Sequence, residues 1–226
     1  MKVLVLGATG LTGGLVLRGL LAAGQVQQVI TPVRRFLAVE HDKLHQEIVD
    51  FDHLEQHQSL FCADAVICCL GSTIRKAGSR SRFRQIDYGY PMKAAELSRE
   101  QGVEAFLLMS AIDASSSSPV FYNRVKGELE DALCGLGFLY LSIYQPGLLM
   151  TERSEQRFAE AAGIRAMPAI NCLLQGPMRR YRGIGAEVVA SAMVNEVIGL
   201  TEKPTTSQAS TIYRHYDDMV ALSSSR

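Results

Sequence analysis

VLVLGATGLTGGLVL, residues 3–17, sets four apolar residues, a turn studded with glycine and a helix-forming run in direct succession. Lys2 to Leu6 reads as a buried strand, and Gly10 to Ala23 as a helix stopped by Gly24. Between them, Gly7-Ala8-Thr9-Gly10-Leu11-Thr12-Gly13 repeats glycine at a three-residue spacing. Gly7 permits a turn with unusual backbone angles, Gly10 lets a pyrophosphate approach the main chain, and Gly13 lets the helix lie close to the sheet. Free N–H groups at the helix start then face the phosphates, where the helix dipole favours an anion. A tight structural turn could use the same glycines, but the strand before and the helix after supply the context a nucleotide-binding turn requires.

The alternation continues outward from this unit. Strands are expected at Gln28–Val33, Glu47–Asp50, Ala65–Leu70, Ala105–Met109 and Phe138–Tyr144, and helices at Tyr88–Gln101 and Val120–Leu136. Short apolar strands separated by helices predict an α/β fold, a doubly wound parallel sheet with its ligand crevice beyond the strand carboxyl ends. Residues 1–150 form this dinucleotide-binding domain. Residues 151–226 read as a small lobe integrated with it, with a helix at Ala186–Ile198 and a last strand near Thr211–Tyr213.

Composition narrows the classes. Lys plus Arg and Asp plus Glu are 23 each in 226 residues, so no global field favours nucleic acid or an anionic membrane. No stretch approaches the roughly 20 apolar residues of a membrane helix, and no signal peptide is evident. Five cysteines in no ligand spacing, two of them adjacent, argue against a disulfide framework or a metal site, and read as buried thiols of a reducing cytosol. The expectation is a soluble cytoplasmic protein.

The second strand bears on the cofactor. A site for NAD usually has an acid about 20 residues beyond the glycines to hold the ribose hydroxyls. Here VITPVRR ends instead on Arg34 and Arg35, whose guanidinium groups suit a 2′-phosphate. NADP(H) is therefore preferred. Asp50 is either an adenine partner or a turn residue, and the backbone of Leu70, Gly71 and Ser72 is expected to line the cofactor.

The chemistry is expected near the fifth strand. Ser110 closes LLMS, and Tyr122 and Lys126, one helical turn apart, share a face. A phenol ionises near pH 10, and an ammonium beside it favours the phenolate. In the reducing direction the phenol gives its proton to a carbonyl oxygen as hydride reaches the carbon. Ser110 would hydrogen-bond that oxygen, and Lys126 would also bind the nicotinamide ribose. Alone, a Tyr-x-x-x-Lys pair also fits a helix packed on its tyrosine.

GATGLTG, PVRR, EIVDF, CCLGST with KAG, FLLMS, YNRVKGELE and QPG fall in order over residues 3–150, with an echo at RRYRGIGAEVVA. With these segments the chain resembles the short-chain dehydrogenase/reductase superfamily in its atypical branch. Within that branch it is similar to the oxidoreductase family of the mammalian Tat-interacting protein and its bacterial relatives. The resemblance implies a Rossmann domain binding NADPH through Gly7, Gly10, Gly13, Arg34 and Arg35, and a catalytic set of Ser110, Tyr122 and Lys126. It also implies a second serine where this chain has Ala111 and an arginine where it has Gln145. The superfamily's catalytic Asn is replaced by Asp87, as in the resembled family.

Three readings follow. The first is an NADPH-dependent reductase of a small carbonyl or quinone substrate. The second is an NADPH-bound sensor without turnover that acts through a protein partner. A nucleotide-sugar epimerase or dehydratase, which wants a larger substrate domain, is third. Arg179, Arg180 and Arg182 read as a solvated basic loop or as an anion-attracting rim.

Overall fold

Apolar alternation along parallel strands gives this chain two cores, one on each face of a single sheet. The computed structural model describes residues 1–150, 171, 174–200 and 209–225. Strands β1 (Lys2–Leu6), β2 (Gln28–Val33), β3 (Leu44–Ile48), β4 (Ala65–Cys68), β5 (Ala105–Met109), β6 (Tyr140–Tyr144) and β9 (Ser210–Arg214) form it in the order β3-β2-β1-β4-β5-β6-β9. Every neighbouring pair is parallel. The order reverses between β1 and β4, which opens the crevice at their carboxyl ends.

Successive side chains point to opposite faces. Val3, Val5, Ile67 and Leu107 pack with Val16 and Leu20 of α1 (Leu11–Ala22) and with Val189 and Met193 of α6 (Ala186–Gly199). Leu4, Leu6, Phe106 and Leu108 pack on the other face with Ala94 of α4 (Tyr90–Glu100) and with Leu129 and Leu133 of α5 (Phe121–Cys134). Burying each such side chain is worth about 1.5–3 kcal/mol.

Several boundaries differ from the sequence expectation for physical reasons. β3 is Leu44–Ile48 rather than Glu47–Asp50: as an edge strand it carries His45, Gln46 and Glu47, which disguise it. Asp50 instead caps a 3₁₀ segment, Phe51–Phe61, accepting from the Asp52 amide at 3.0 Å. β4 stops at Cys68, where the chain peels off to line the crevice. The helix expected from Tyr88 starts earlier, as α2 (Ile74–Ala77), then α3 (Arg80–Arg84) running through a π-turn at Gln85–Gly89 into α4. Gly89 and Pro91 look like a helix start in sequence and conceal that run. Cys62 and Cys134 are exposed, which corrects the expectation of uniformly buried thiols; Cys68 is buried and Cys69 half-buried.

Residues 186–200 and 209–225 belong to the sheet layers. Glu196 of α6 is 6% exposed and accepts hydrogen bonds from the hydroxyls of Tyr140, Ser142 and Tyr144, alternate residues of β6. Arg214 of β9 donates to the same carboxylate, so one buried acid ties the last two strands to α6. A closing helix, α7 (Tyr216–Ser224), covers α6. The short strands β7 (Leu149–Met150) and β8 (Ile184–Gly185) pair in parallel as a second, two-stranded sheet. The basic loop is engaged in contacts: Arg179 pairs with Asp217 at 2.6 Å, Arg182 donates to the Leu174 carbonyl, and Arg180 and Tyr181 link to Asp113 beyond β5. Residues 151–170 of the expected lobe lie outside the described residues.

Candidate functional site

The glycine turn is built so tightly that side chains are excluded. Gly7 has φ +84°, and a Cβ there would lie 2.6 Å from the Cys69 carbonyl oxygen. A Cβ on Gly13 would lie 2.2 Å from the Gly7 carbonyl oxygen. The Gly10 amide closes the turn on that same oxygen at 2.9 Å, and Gly10 is the N-cap of α1, with no side-chain cap on the helix start. This is a cradle that only backbone can line, and its unfilled amide end fits a phosphate.

The crevice beside it is lined by Gly7 to Gly10, by Pro32, Val33 and Arg34 from β2 and its end, and by Cys69, Leu70, Gly71 and Ser72 from the end of β4. Leu11 is exposed at the start of α1, while Ala8 and Thr12 are buried and shape the turn. Arg34 borders the crevice. Arg35 is exposed and is not among its lining residues, and Asp50 is turned to its capping role. Phe51 and Tyr90 form an aromatic wall, ring centroids 5.5 Å apart, that the sequence did not announce. The Tyr90 hydroxyl donates to Asp52 at 2.7 Å, and burial together with that carboxylate pushes its ionisation up to about 12.

Behind the Gly71–Ser72 edge of the crevice stands α5; Ser110, Tyr122 and Lys126 are not among the residues that line the crevice. Tyr122 and Lys126 lie on one stripe of this helix, with the Tyr122 ring 5.5 Å from Phe83 of α3. Lys126 is 3% exposed, and its Nζ is 2.9 Å from Oδ1 of the fully buried Asp87. Asp87 reaches inward from the π-turn, a local widening often found at functional positions. Its Oδ2 accepts from the Ser72 amide at 2.8 Å, which ties the ion pair to the crevice wall. Gly71 lies directly against it: a Cβ there would meet Asp87 Oδ1 at 3.4 Å and Lys126 Nζ at 3.6 Å, ordinary contact distances. Burial works to lower the Lys126 pKa, but Asp87, with Tyr122, more than reverses it, and the ammonium is held above its ordinary value. Burial raises Asp87, against the pull of Lys126.

Ser110 is placed differently. It follows β5 on the face covered by α5, is 5% exposed, and its hydroxyl donates to Glu130 Oε1. Gln145, following β6 on the same face, donates its amide to both Glu130 oxygens at 3.1 and 2.9 Å. Thus Tyr122 and Lys126 share a stripe as the sequence implied, while the hydroxyl of Ser110 is directed to a carboxyl group that the sequence reading passed over. The signal was available: Glu130 continues the four-residue spacing of Tyr122 and Lys126. At the end of β4, burial pushes the Cys68 thiol up to about 11 and the Cys69 thiol higher still.

With this geometry in view, the comparisons with known proteins are specific. The model of the NAD dependent epimerase/dehydratase family matches residues 3–222. The chain belongs to that family. Within it, the chain is similar to Protein HTATIP2 of Rattus norvegicus, 38% identical over 163 residues covering 70% of this chain and 67% of the relative. It is also similar to Protein FMP52, mitochondrial, of Meyerozyma guilliermondii, 32% identical over 200 residues covering 85% and 84% of the two chains. Among solved structures, the oxidoreductase ylbE from Lactococcus lactis superposes with a TM-score of 0.68 at 19% identity, covering 98% of this chain and 96% of that one, a likeness of fold.

The curated relatives correct one expectation. Relatives in Meyerozyma guilliermondii and Candida albicans are named mitochondrial, which overturns the assignment to the cytoplasm. Reduced thiols and the lack of an evident signal peptide or membrane stretch, on which that assignment rested, do not separate one reducing compartment from another. Among the described residues no helix is long and apolar enough to cross a membrane.

Proposed function

We propose that this epimerase/dehydratase-family chain binds NADP(H) and reduces a small carbonyl or quinone compound. The observation that carries the reading is the Tyr122–Lys126 stripe, anchored through Asp87 to the Ser72 amide on the crevice wall. It supports a phenolic acid and a fixed cation acting next to the Gly71–Ser72 edge of the crevice. The cradle would hold the pyrophosphate on the amides of Gly10 and its neighbours. Arg34, with no acid at the end of β2, supports a 2′-phosphate. Leu70 and Gly71 would line the nicotinamide half. The cofactor when bound supplies the hydride. Tyr122 gives its proton to the substrate oxygen, and Lys126 keeps a positive charge beside the phenolate that results.

Following NADPH and NADH oxidation against a panel of aldehydes, ketones and quinones tests this. Turnover with NADPH preferred is expected. Tight NADPH binding without turnover of any class would instead support the sensor reading, which the engagement of Ser110 by Glu130 favours.

A further inference from the structure

Tyr122, Lys126 and Glu130 recur at four-residue intervals and lie along one stripe of α5, but only the first two have a part in the proton transfer just described. Glu130 is 4% exposed, and its described hydrogen-bond partners are neutral: the Ser110 hydroxyl and the Gln145 amide. The charged and titratable groups facing it are Lys126 and Asp131 on its own helix and Tyr213 from β9. Lys126 is committed to Asp87. Burial raises the Glu130 pKa, the hydrogen bonds from Ser110 and Gln145 pull it back, Asp131 adds to the rise and Lys126 opposes it; the net direction is upward.

A serine hydroxyl has one proton to give, and an ionised carboxylate can only accept. Ionised Glu130 therefore takes the Ser110 proton inward. A protonated Glu130 has a proton of its own on Oε1, while Oε2 still accepts from Gln145. We propose that Glu130 sets the direction of the Ser110 hydrogen bond: protonated, it donates to Oγ and frees the serine proton to point outward to substrate, and ionised, it withdraws that proton. Glu130 is thus a positioning residue acting through Ser110. The link to turnover rests on the reductase reading, whereas the protonation of Glu130 does not.

The sign of the pH dependence follows. Activity that needs an outward Ser110 proton is present at low pH and falls as pH rises through the Glu130 titration. Glu130→Gln carries an amide that donates to Oγ at every pH, with its oxygen left for Gln145. It should keep Ser110 in the outward arrangement throughout.

Infrared spectra of the intact protein across pH test the first half without turnover. Expected is a protonated-carboxyl band that grows in as pH falls and is present by pH 5, that Glu130→Gln abolishes and Ser110→Ala shifts. A wild-type spectrum from which Glu130→Gln removes no such band, down to pH 5, overturns the proposal. For the second half, the wild-type rate should fall about tenfold per pH unit above the point where the band disappears. Glu130→Gln should stay within about threefold of the acid plateau and lose that limb. A variant that retains the limb overturns the role in turnover. A band with the expected dependence, in a protein that turns over nothing, upholds the coupling to Ser110 and removes the reductase reading instead.

Discussion

The two sides of the candidate site are made by different means. On the β1–α1 side the site is backbone: three glycines, a positive φ at Gly7, and gaps too small for a Cβ. On the α5 side it is side chains drawn from four separate segments, with Lys126 paired to Asp87 from the π-turn and Ser110 held by Glu130 and Gln145. The first wall depends on what is missing from the residues, so it tolerates almost no substitution. The second depends on buried charges and hydrogen bonds balancing one another, so the cost of a change depends on which partner is left behind.

The largest effect is expected where that balance is broken. Lys126→Met leaves Asp87 buried beside no cation and should destabilise the fold by about 3–5 kcal/mol in urea unfolding. Adding Asp87→Asn, which keeps an acceptor for the Ser72 amide, should recover most of the loss. Failure to recover would show that the pair is not what holds this wall. On the backbone wall, Gly13→Ala must move the Gly7 carbonyl and should cost about 1–3 kcal/mol, with NADPH binding lost in the same variant. Gly24→Ala, with nothing within 4 Å of the added carbon, is the matched control and should change neither.

The smallest and most specific effect separates two adjacent arginines. Arg34 borders the crevice and Arg35 does not. Calorimetric titration should show Arg34→Ala weakening NADPH by about ten- to a hundredfold with NADH little changed, and Arg35→Ala changing NADPH by less than about threefold. Equal losses would sharpen the comparison differently, placing both guanidinium groups on one phosphate.

The contrast between the walls also explains what could be read in advance. The glycine cradle is local: strand, turn and helix occupy consecutive residues, so Gly7, Gly10 and Gly13 announce it. The parallel sheet was legible for the same reason, since each buried strand is a short apolar run. The edge strand at Leu44–Ile48 was displaced because its exposed face carries polar residues. Asp87 as the Lys126 anchor was hidden because a π-turn, not a regular helix, turns it inward. The hydrogen bond between Glu130 and Gln145 was hidden because it depends on the distance between β6 and α5, which no local pattern encodes. The aromatic wall of Phe51 and Tyr90 is likewise a long-range product of packing.

The proposed reductase requires proton transfer from the α5 side to a substrate held beside a cofactor on the glycine turn. The direct measurement is NADPH oxidation by the wild type and Tyr122→Phe with the best substrate of the panel, with NADPH affinity determined on the same preparations. Loss of about 10²–10⁴-fold in kcat, with affinity for NADPH unchanged, is the expected result. A variant that turns over as fast as the wild type would contradict it.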